Sequence, residues 1–304
     1  MGVPHSPLRY PGGKQILARV LGYLIRTNGR EGGIYVEPYA GGAGAALTLL
    51  FAEYVQRVML NDADASIYAF WHSILNNTER FVKLLHDVPL TTAEWRRQRE
   101  IYLRPTDHGG LELGFATFYL NRCNRSGIIG SGGVIGGLKQ RGRWKLDARF
   151  NKRDLVRRIQ RIARYRDRIG LFNSDAVEFL KNHVVSPSVV PNAFVYLDPP
   201  YYGKGRKLYL NFYEPEDHRT LASYIVRQKS LLWLVSYDDV GEVRQLYSGL
   251  RQARLELGYS ARSRRVGKEI LIASKSLKFP EQWESRVPSE YVSAADDIEI
   301  SAVG

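Results

Sequence analysis

Ala193-Phe194-Val195-Tyr196-Leu197-Asp198-Pro199-Pro200-Tyr201 is the stretch whose reading decides the fold. Five apolar, β-favouring residues stop abruptly at an acid and two prolines, with Pro191-Asn192 on the other side. Residues 193–197 therefore read as a buried strand. Open α/β sheets bind ligands in the crevice outside the carboxyl ends of their strands, and Asp198 to Tyr201 stand at such an end. Two successive prolines fix φ near about −65° and donate no N–H, while their carbonyls remain acceptors. A rigid turn carrying a carboxylate, a bare carbonyl and an aromatic face can accept both hydrogens of an –NH2 group and stack on its ring. The alternative is a tight turn that only closes a strand, because Asp and Pro both favour turns. The rest of the chain decides between the two.

Upstream, Ile34-Tyr35-Val36 reads as a strand, followed by Glu37-Pro38-Tyr39-Ala40-Gly41-Gly42-Ala43-Gly44 and a helical run from Ala43 to about Tyr54. Arg57 to Leu60 is a second strand, ended by Asn61-Asp62, and a helix follows from Ala63 to about Asn76. This β-turn-α-β-acid order belongs to nucleotide-type α/β domains. Further strands are expected at Gly170–Asn173 and Leu231–Ser236, with a terminal hairpin pairing Leu255–Ala261 and Ile270–Ser274. The glycine turn is not a dinucleotide fingerprint, since the third glycine of that pattern would fall at Leu47. Nor does a Gly-Lys-Ser/Thr follow to make a phosphate loop. Asp62 stands where an acid accepts bonds from ribose hydroxyls. A glycine turn with a ribose acid and no diphosphate grip suits a nucleoside cofactor such as S-adenosylmethionine.

The chain of 304 residues is long enough for one large or two modest domains. Lys plus Arg number 44 against 31 for Asp plus Glu, a net charge of +13 that points to a polyanionic partner. The excess is concentrated: residues 139–168 hold 13 basic and 3 acidic side chains. From Asn151 the segment has helical spacing, with Leu155, Ile159, Ile162 and Ile169 on one face and Arg157, Arg158, Arg161, Arg164 and Arg168 around the rest. A solvated helix face is one reading; with Arg141-Gly142-Arg143-Trp144-Lys145 beside it, a phosphate-tracking surface is the other, and no weaker. One cysteine, Cys123, excludes a disulfide framework and a thiolate zinc cluster, and fits a reducing compartment. No apolar run has the ~18 residues of a membrane span, and no signal-peptide pattern opens the sequence. The six histidines show no metal-ligand spacing, so no metal is required.

Near the start, Leu8-Arg9-Tyr10-Pro11-Gly12-Gly13-Lys14 sets an aromatic and an ammonium around a tight turn. This turn, then Glu37–Gly44, then Asn61-Asp62, then Asp198–Tyr201 occur in the order and spacing of Dam-type N6-adenine DNA methyltransferases. From about residue 7 to residue 275 the chain resembles that α-group family. The resemblance implies an α/β fold, a Rossmann-like methyltransferase sheet with an inserted target-recognition domain. Its boundaries would be a discontinuous catalytic domain at 1–76 and 151–280, an insertion at 77–150, and a loosely held acidic tail at 281–304. It implies S-adenosylmethionine as cofactor, contacted at Tyr10, Lys14, Glu37, Gly41, Asp62, Asp198 and, more weakly, Asp175. Asp198, Pro199, Pro200 and Tyr201 would be catalytic. The insertion, with a helical stretch around Thr91–Tyr102, an apolar run Phe115–Leu120 and a loop-rich basic tract to Phe150, would meet double-stranded DNA through Asn121, Arg122, Lys139, Arg141, Arg143 and Lys145. Its Ser126–Arg149 tract does not match the segment that reads GATC in the Dam enzymes proper, and the recognition sequence is not legible. A cytoplasmic, nucleoid-associated enzyme is expected, and a restriction or defence partner is not visible in the sequence.

The implied chemistry is methyl transfer to the N6 of an adenine flipped out of the duplex. Methylation of another planar amine, on RNA or a protein glutamine, would use the same kind of turn. A DNA-binding regulator without turnover is a third reading, and the intact Asp198–Tyr201 turn with Tyr10, Lys14 and Asp62 argues against it.

Overall fold

The computed structural model describes residues 4–9, 14–203, 213–261, 263–283 and 287–288; at positions 14, 16, 256–261, 263–268 and 282 it describes the backbone alone. Tyr10 and nearly all of the expected acidic tail lie outside the described residues, as does the side chain of Lys14.

Seven strands form one mixed sheet in the order β3-β2-β1-β4-β5-β7-β6. They are β1 (Ile34–Glu37), β2 (Arg57–Asn61), β3 (Ile169–Phe172), β4 (Ala193–Leu197), β5 (Leu232–Asp238), β6 (Arg251–Ala261) and β7 (Ser263–Ala273). The first five are parallel, and β7 runs antiparallel between β5 and β6. This is an α/β, Rossmann-like arrangement closed at one edge by an antiparallel pair. Each strand region expected from the sequence is present, but the hairpin's pairing differs: Leu255–Ala261 pairs with Ser263–Glu269, and Ile270–Ala273 pairs with Arg251–Arg254. Strand order reverses between β1 and β4, the switch point where such sheets bind ligands.

Both faces of the sheet are buried. Tyr35, Val58, Phe194, Tyr196, Leu234 and Leu271 pack with the helices α1 (Ala18–Thr27), α2 (Gly44–Phe51) and α3 (Ala65–Asn76). Val36, Val195, Leu197, Trp233, Val235 and Ile272 face the other layer, which includes the helix Pro215–Arg227. Alternate residues of one strand thus enter different cores, as the two-residue period requires.

Three further expectations change. The helix after the glycine turn ends at Phe51 rather than near Tyr54, and Glu53 then takes a left-handed φ of 57°. The basic helix α7 (Lys152–Ala163) is capped by the Asn151 side chain, which accepts from the Asp154 N–H, but it stops at Ala163. Ile169 opens β3 instead of continuing the helix. Finally, the helix expected around Thr91–Tyr102 is present as α5 (Thr92–Leu103), but its surroundings are helical rather than loops, with α4 (Thr78–Asp87) before it and α6 (Gly110–Cys123) after it. Phe81, Leu85, Trp95, Phe115, Phe118 and Phe150 share a single core with Leu47, Phe70 and Trp71. Short links at 88–91 and 104–109 join these helices, and the long run of turns and loops occupies residues 124–151.

Candidate active site

Two loops meet at the switch point. On β1, Tyr35 and Glu37 point to one face of the sheet, and on β4, Phe194 and Tyr196 share it, because Tyr35 pairs with Phe194. Asp198 follows two residues after Tyr196, so the period carries it toward the same side. Ser236 of β5 donates to Asp198 Oδ1 at 2.8 Å, and the Tyr196 hydroxyl lies 2.7 Å from the Ser236 hydroxyl. Glu37 is almost wholly buried; its Oε1 accepts from the Tyr35 hydroxyl at 2.9 Å and from the Ala46 N–H at 3.2 Å. Burial pushes the Glu37 carboxyl up to about 8, and the neighbouring Asp198 charge pushes the same way, against its hydrogen bonds. Glu37 therefore carries its proton at neutral pH.

The glycine turn bends β1 into α2. Gly41 at φ 44° and Ala43 at φ 46° both adopt the left-handed region. Only glycine does so without strain, and Ala43 holds a conformation that costs about 1 kcal/mol. Asp62 grips this turn: Oδ2 accepts the Gly41 N–H at 2.8 Å and Oδ1 accepts the Asp64 N–H at 3.0 Å. The Gly41 carbonyl in turn accepts from the Trp71 indole at 2.9 Å. Desolvation raises the Asp62 carboxyl to about 7, partly offset by these backbone donors. Asn61 ties three strand ends together, donating to the carbonyls of Pro38 and Ser174 and accepting from the Ser174 N–H. Asp175, just past β3, caps the short helix Ala176–Phe179 by accepting the Val177 and Glu178 N–H groups.

The turn after β4 is braced from β5 and β7. Pro199 is buried, and Asp198, Pro200 and Tyr201 are half-buried. The Tyr201 hydroxyl donates to Glu269 at 2.7 Å. Asp238, which ends β5, accepts the N–H groups of Tyr202 and Gly203 at 2.9 and 3.0 Å. Tyr213, beyond the undescribed residues 204–212, meets Tyr39 of the glycine turn, hydroxyl to hydroxyl, at 2.8 Å. Sequence reasoning did not single out Ser236, Asp238, Glu269 or Asn61. The only signal for them was an isolated polar residue within or ending an apolar strand run.

The expected DNA contacts divide into two groups. Lys139, Arg141, Arg143 and Lys145 are exposed on the loop tract, beside the exposed Trp144 with the Arg143 guanidinium over its ring. Gln140 fixes this tract by donating to the carbonyls of Ile135 and Gly137 and accepting the Leu146 N–H. Asn121 and Arg122, by contrast, are buried and bonded to backbone. A side chain spent in this way does not face a duplex, so their reading as DNA contacts is corrected. The basic residues from α7 to β3 are mixed. Arg158 pairs with Asp154, and Arg168, beyond the helix, pairs with Glu53. Arg157, Arg161 and Arg164 are exposed, Arg161 over the Phe51 ring. Arg168 directly precedes β3, at the sheet edge opposite the strand carboxyl ends.

The residues present suit a nucleoside cofactor. The glycine turn held by Asp62 and the Asp198–Tyr201 turn stand at the carboxyl ends of neighbouring strands at the switch point, where such sheets bind ligands. Among the described residues, no helix is long and apolar enough to cross a membrane.

Residues 10–260 match the family model described as D12 class N6 adenine-specific DNA methyltransferase. No curated protein matches the chain. Among solved structures, a conserved hypothetical protein of Streptococcus pyogenes aligns with 85% of this chain and 97% of its own at 9% identity; its TM-score of 0.33 carries no argument.

Proposed function

The chain belongs to the D12 class of N6 adenine-specific DNA methyltransferases, and from that premise we propose that it methylates the N6 of an adenine flipped out of double-stranded DNA, at a specific sequence. The observation that supports this reading is the meeting, at the β1–β4 switch point, of the Asp62-gripped glycine turn with the Asp198–Tyr201 turn.

Adenine N6 is hidden in a duplex, so the base must leave the stack at a cost of a few kcal/mol. Tyr201 offers a ring on which a flipped base gains about 1–3 kcal/mol by stacking. Phosphate contacts from Lys139, Arg141, Arg143 and Lys145 supply the remainder. Asp198 and the Pro199 carbonyl accept the two N6 hydrogens and hold the amine with its lone pair directed at the donor methyl. Holding the reactants in this geometry is the main catalytic device. Asp198 also offsets the positive charge that develops on N6. Protonated Glu37 adds no second negative charge beside it.

For the cofactor, Gly41 and Asp62 would hold the nucleoside, with Asp175 toward the adenine and Tyr10 and Lys14 closing the far side. When bound, S-adenosylmethionine supplies a sulfonium methyl as electrophile. Such an enzyme works where genomic DNA is, in the cytoplasm and on the nucleoid. A restriction or defence partner is consistent with the chemistry and is not needed for it.

Expression of the chain in a host free of DNA methylation, followed by mapping of N6-methyladenine, tests the proposal. Methylated adenines within one short sequence are expected. Methyl groups on RNA or protein with none on DNA would overturn it.

A further inference from the structure

We propose that Asn121 is a positioning residue for the cofactor turn: from the last turn of α6, in the insertion, its side-chain amide clamps the backbone at Arg9 and so fixes where residues 10–14 begin. The proposal rests on the reading of Tyr10 and Lys14 as cofactor positions.

The clamp is two-sided. Asn121 Oδ1 accepts the Arg9 N–H at 2.7 Å, and Asn121 Nδ2 donates to the Arg9 carbonyl at 2.8 Å. A primary amide used this way imitates a neighbouring β-strand, satisfying donor and acceptor of one residue together. The second Nδ2 hydrogen goes to the Gly127 carbonyl at 2.9 Å. Gly127 has φ 76°, and a Cβ there would lie 2.3 Å from the Arg9 carbonyl oxygen. The loop after α6 thus approaches the same backbone so closely that only glycine fits.

Neighbouring contacts hold the rest of this short segment. Arg9 Nη1 reaches the Asn124 carbonyl at 3.4 Å. Arg122 donates to the Pro7 carbonyl, and also to that of Arg149 at the end of the basic tract. Arg158 of α7 donates to the Ser6 carbonyl at 3.0 Å. On the far side of the turn, Gln15 packs against Gly44, the first residue of α2. The segment before the turn is thus fastened to the insertion, and Gln15 after it to the glycine turn. Asn121 is wholly buried, and its polar atoms are spent on protein backbone. Its role is to hold the entry to the turn rather than to read DNA.

The test separates these roles with Asn121→Ala, checked for folding by circular dichroism and melting. Trp95→Phe serves as control, because it loosens the same corner, removing the indole bond to Asn124 and some core packing, while leaving the Asn121–Arg9 bonds in place. Calorimetry with S-adenosylmethionine in the absence of DNA measures one affinity, and anisotropy with a labelled adenine-containing duplex measures the other. Removing the clamp is expected to raise the cofactor Kd about tenfold or more. Duplex affinity should stay within about twofold, and Trp95→Phe should leave both in place. Unchanged cofactor affinity in folded Asn121→Ala overturns the proposal, as does loss of duplex binding with cofactor binding intact. Lys14→Ala distinguishes the layers of the argument: if it too leaves cofactor affinity unchanged, the cofactor reading of the turn fails and takes the proposal with it. If Asn121→Ala does not fold, hydrogen exchange on the natural chain decides. Cofactor should then protect the backbone around 121–127 together with residues 14–17, and protection of 14–17 alone overturns the clamp.

Discussion

The hydroxyl of Ser236 donates a 2.8 Å hydrogen bond to Oδ1 of Asp198 and so joins β5 to the acid that ends β4. Ser236 is fully buried, and the Tyr196 hydroxyl holds it from the other side. A carboxylate fixed at one oxygen has a defined orientation for whatever it accepts at the other. Ser236→Ala is expected to lower kcat about tenfold, in line with removal of one bond to a charged group. Tyr196→Phe should lower it less, because it loosens Ser236 alone. Steady-state kinetics check this, with little change expected in KM for the cofactor; equal losses in kcat and cofactor affinity would contradict it.

Tyr201 has two separable parts, a ring for stacking and a hydroxyl bonded to Glu269. Tyr201→Phe keeps the ring and should cost about tenfold or less in kcat/KM. Tyr201→Ala removes the stacking surface and should cost more, up to about a hundredfold, for a stacking contribution of about 1–3 kcal/mol. Equal losses in the two variants would assign the effect to the hydroxyl.

Glu37 makes stability depend on pH. The folded chain keeps its proton up to about 8, whereas the unfolded chain releases it near 4.5. Between these values the unfolded state binds fewer protons. The stabilisation is therefore complete below 4.5 and is lost as pH rises through 8, with a slope of about 1.4 kcal/mol per pH unit. Asp62, raised to about 7, adds a second decline of the same sign. In urea unfolding from about pH 5 to 8, Glu37→Gln should have a shallower decline than the natural chain. An identical slope would place the ionisation elsewhere.

The exposed tract gives a prediction about DNA alone. Replacing Arg141, Arg143 and Lys145 together with Ala should weaken duplex binding and reduce the salt slope by about 0.9 for each phosphate no longer neutralised. Cofactor affinity should not move. An unchanged salt slope would return this surface to ordinary solvation.

The catalytic elements were legible because each is local in sequence. A β-rich run ending in Asp-Pro-Pro-Tyr, and a glycine turn followed by an acid, carry their geometry in a few consecutive residues. Helix α6 was not legible for the opposite reason: it is buried almost all round, from Leu113 to Cys123, so no polar face marks a helical period. Asn121 and Arg122 were misread because polar side chains near a helix end look solvent-facing in sequence. What buries Asn121 is a segment 112 residues earlier, and no local pattern reports it. Arg168 was misplaced on the basic helix for the same reason, since it meets Glu53 only when β2 and β3 align. Long-range pairing set each of these outcomes.

The central claim is that Asp198 presents an adenine N6 to the methyl donor. Incubating the natural chain and Asp198→Ala with methyl-labelled S-adenosylmethionine and adenine-containing duplex, then digesting the DNA to nucleosides, tests it directly. The expected result is label in N6-methyladenine with the natural chain, and none above background with Asp198→Ala despite retained duplex binding. Near-normal labelling of N6-methyladenine by the Asp198→Ala protein would contradict the claim.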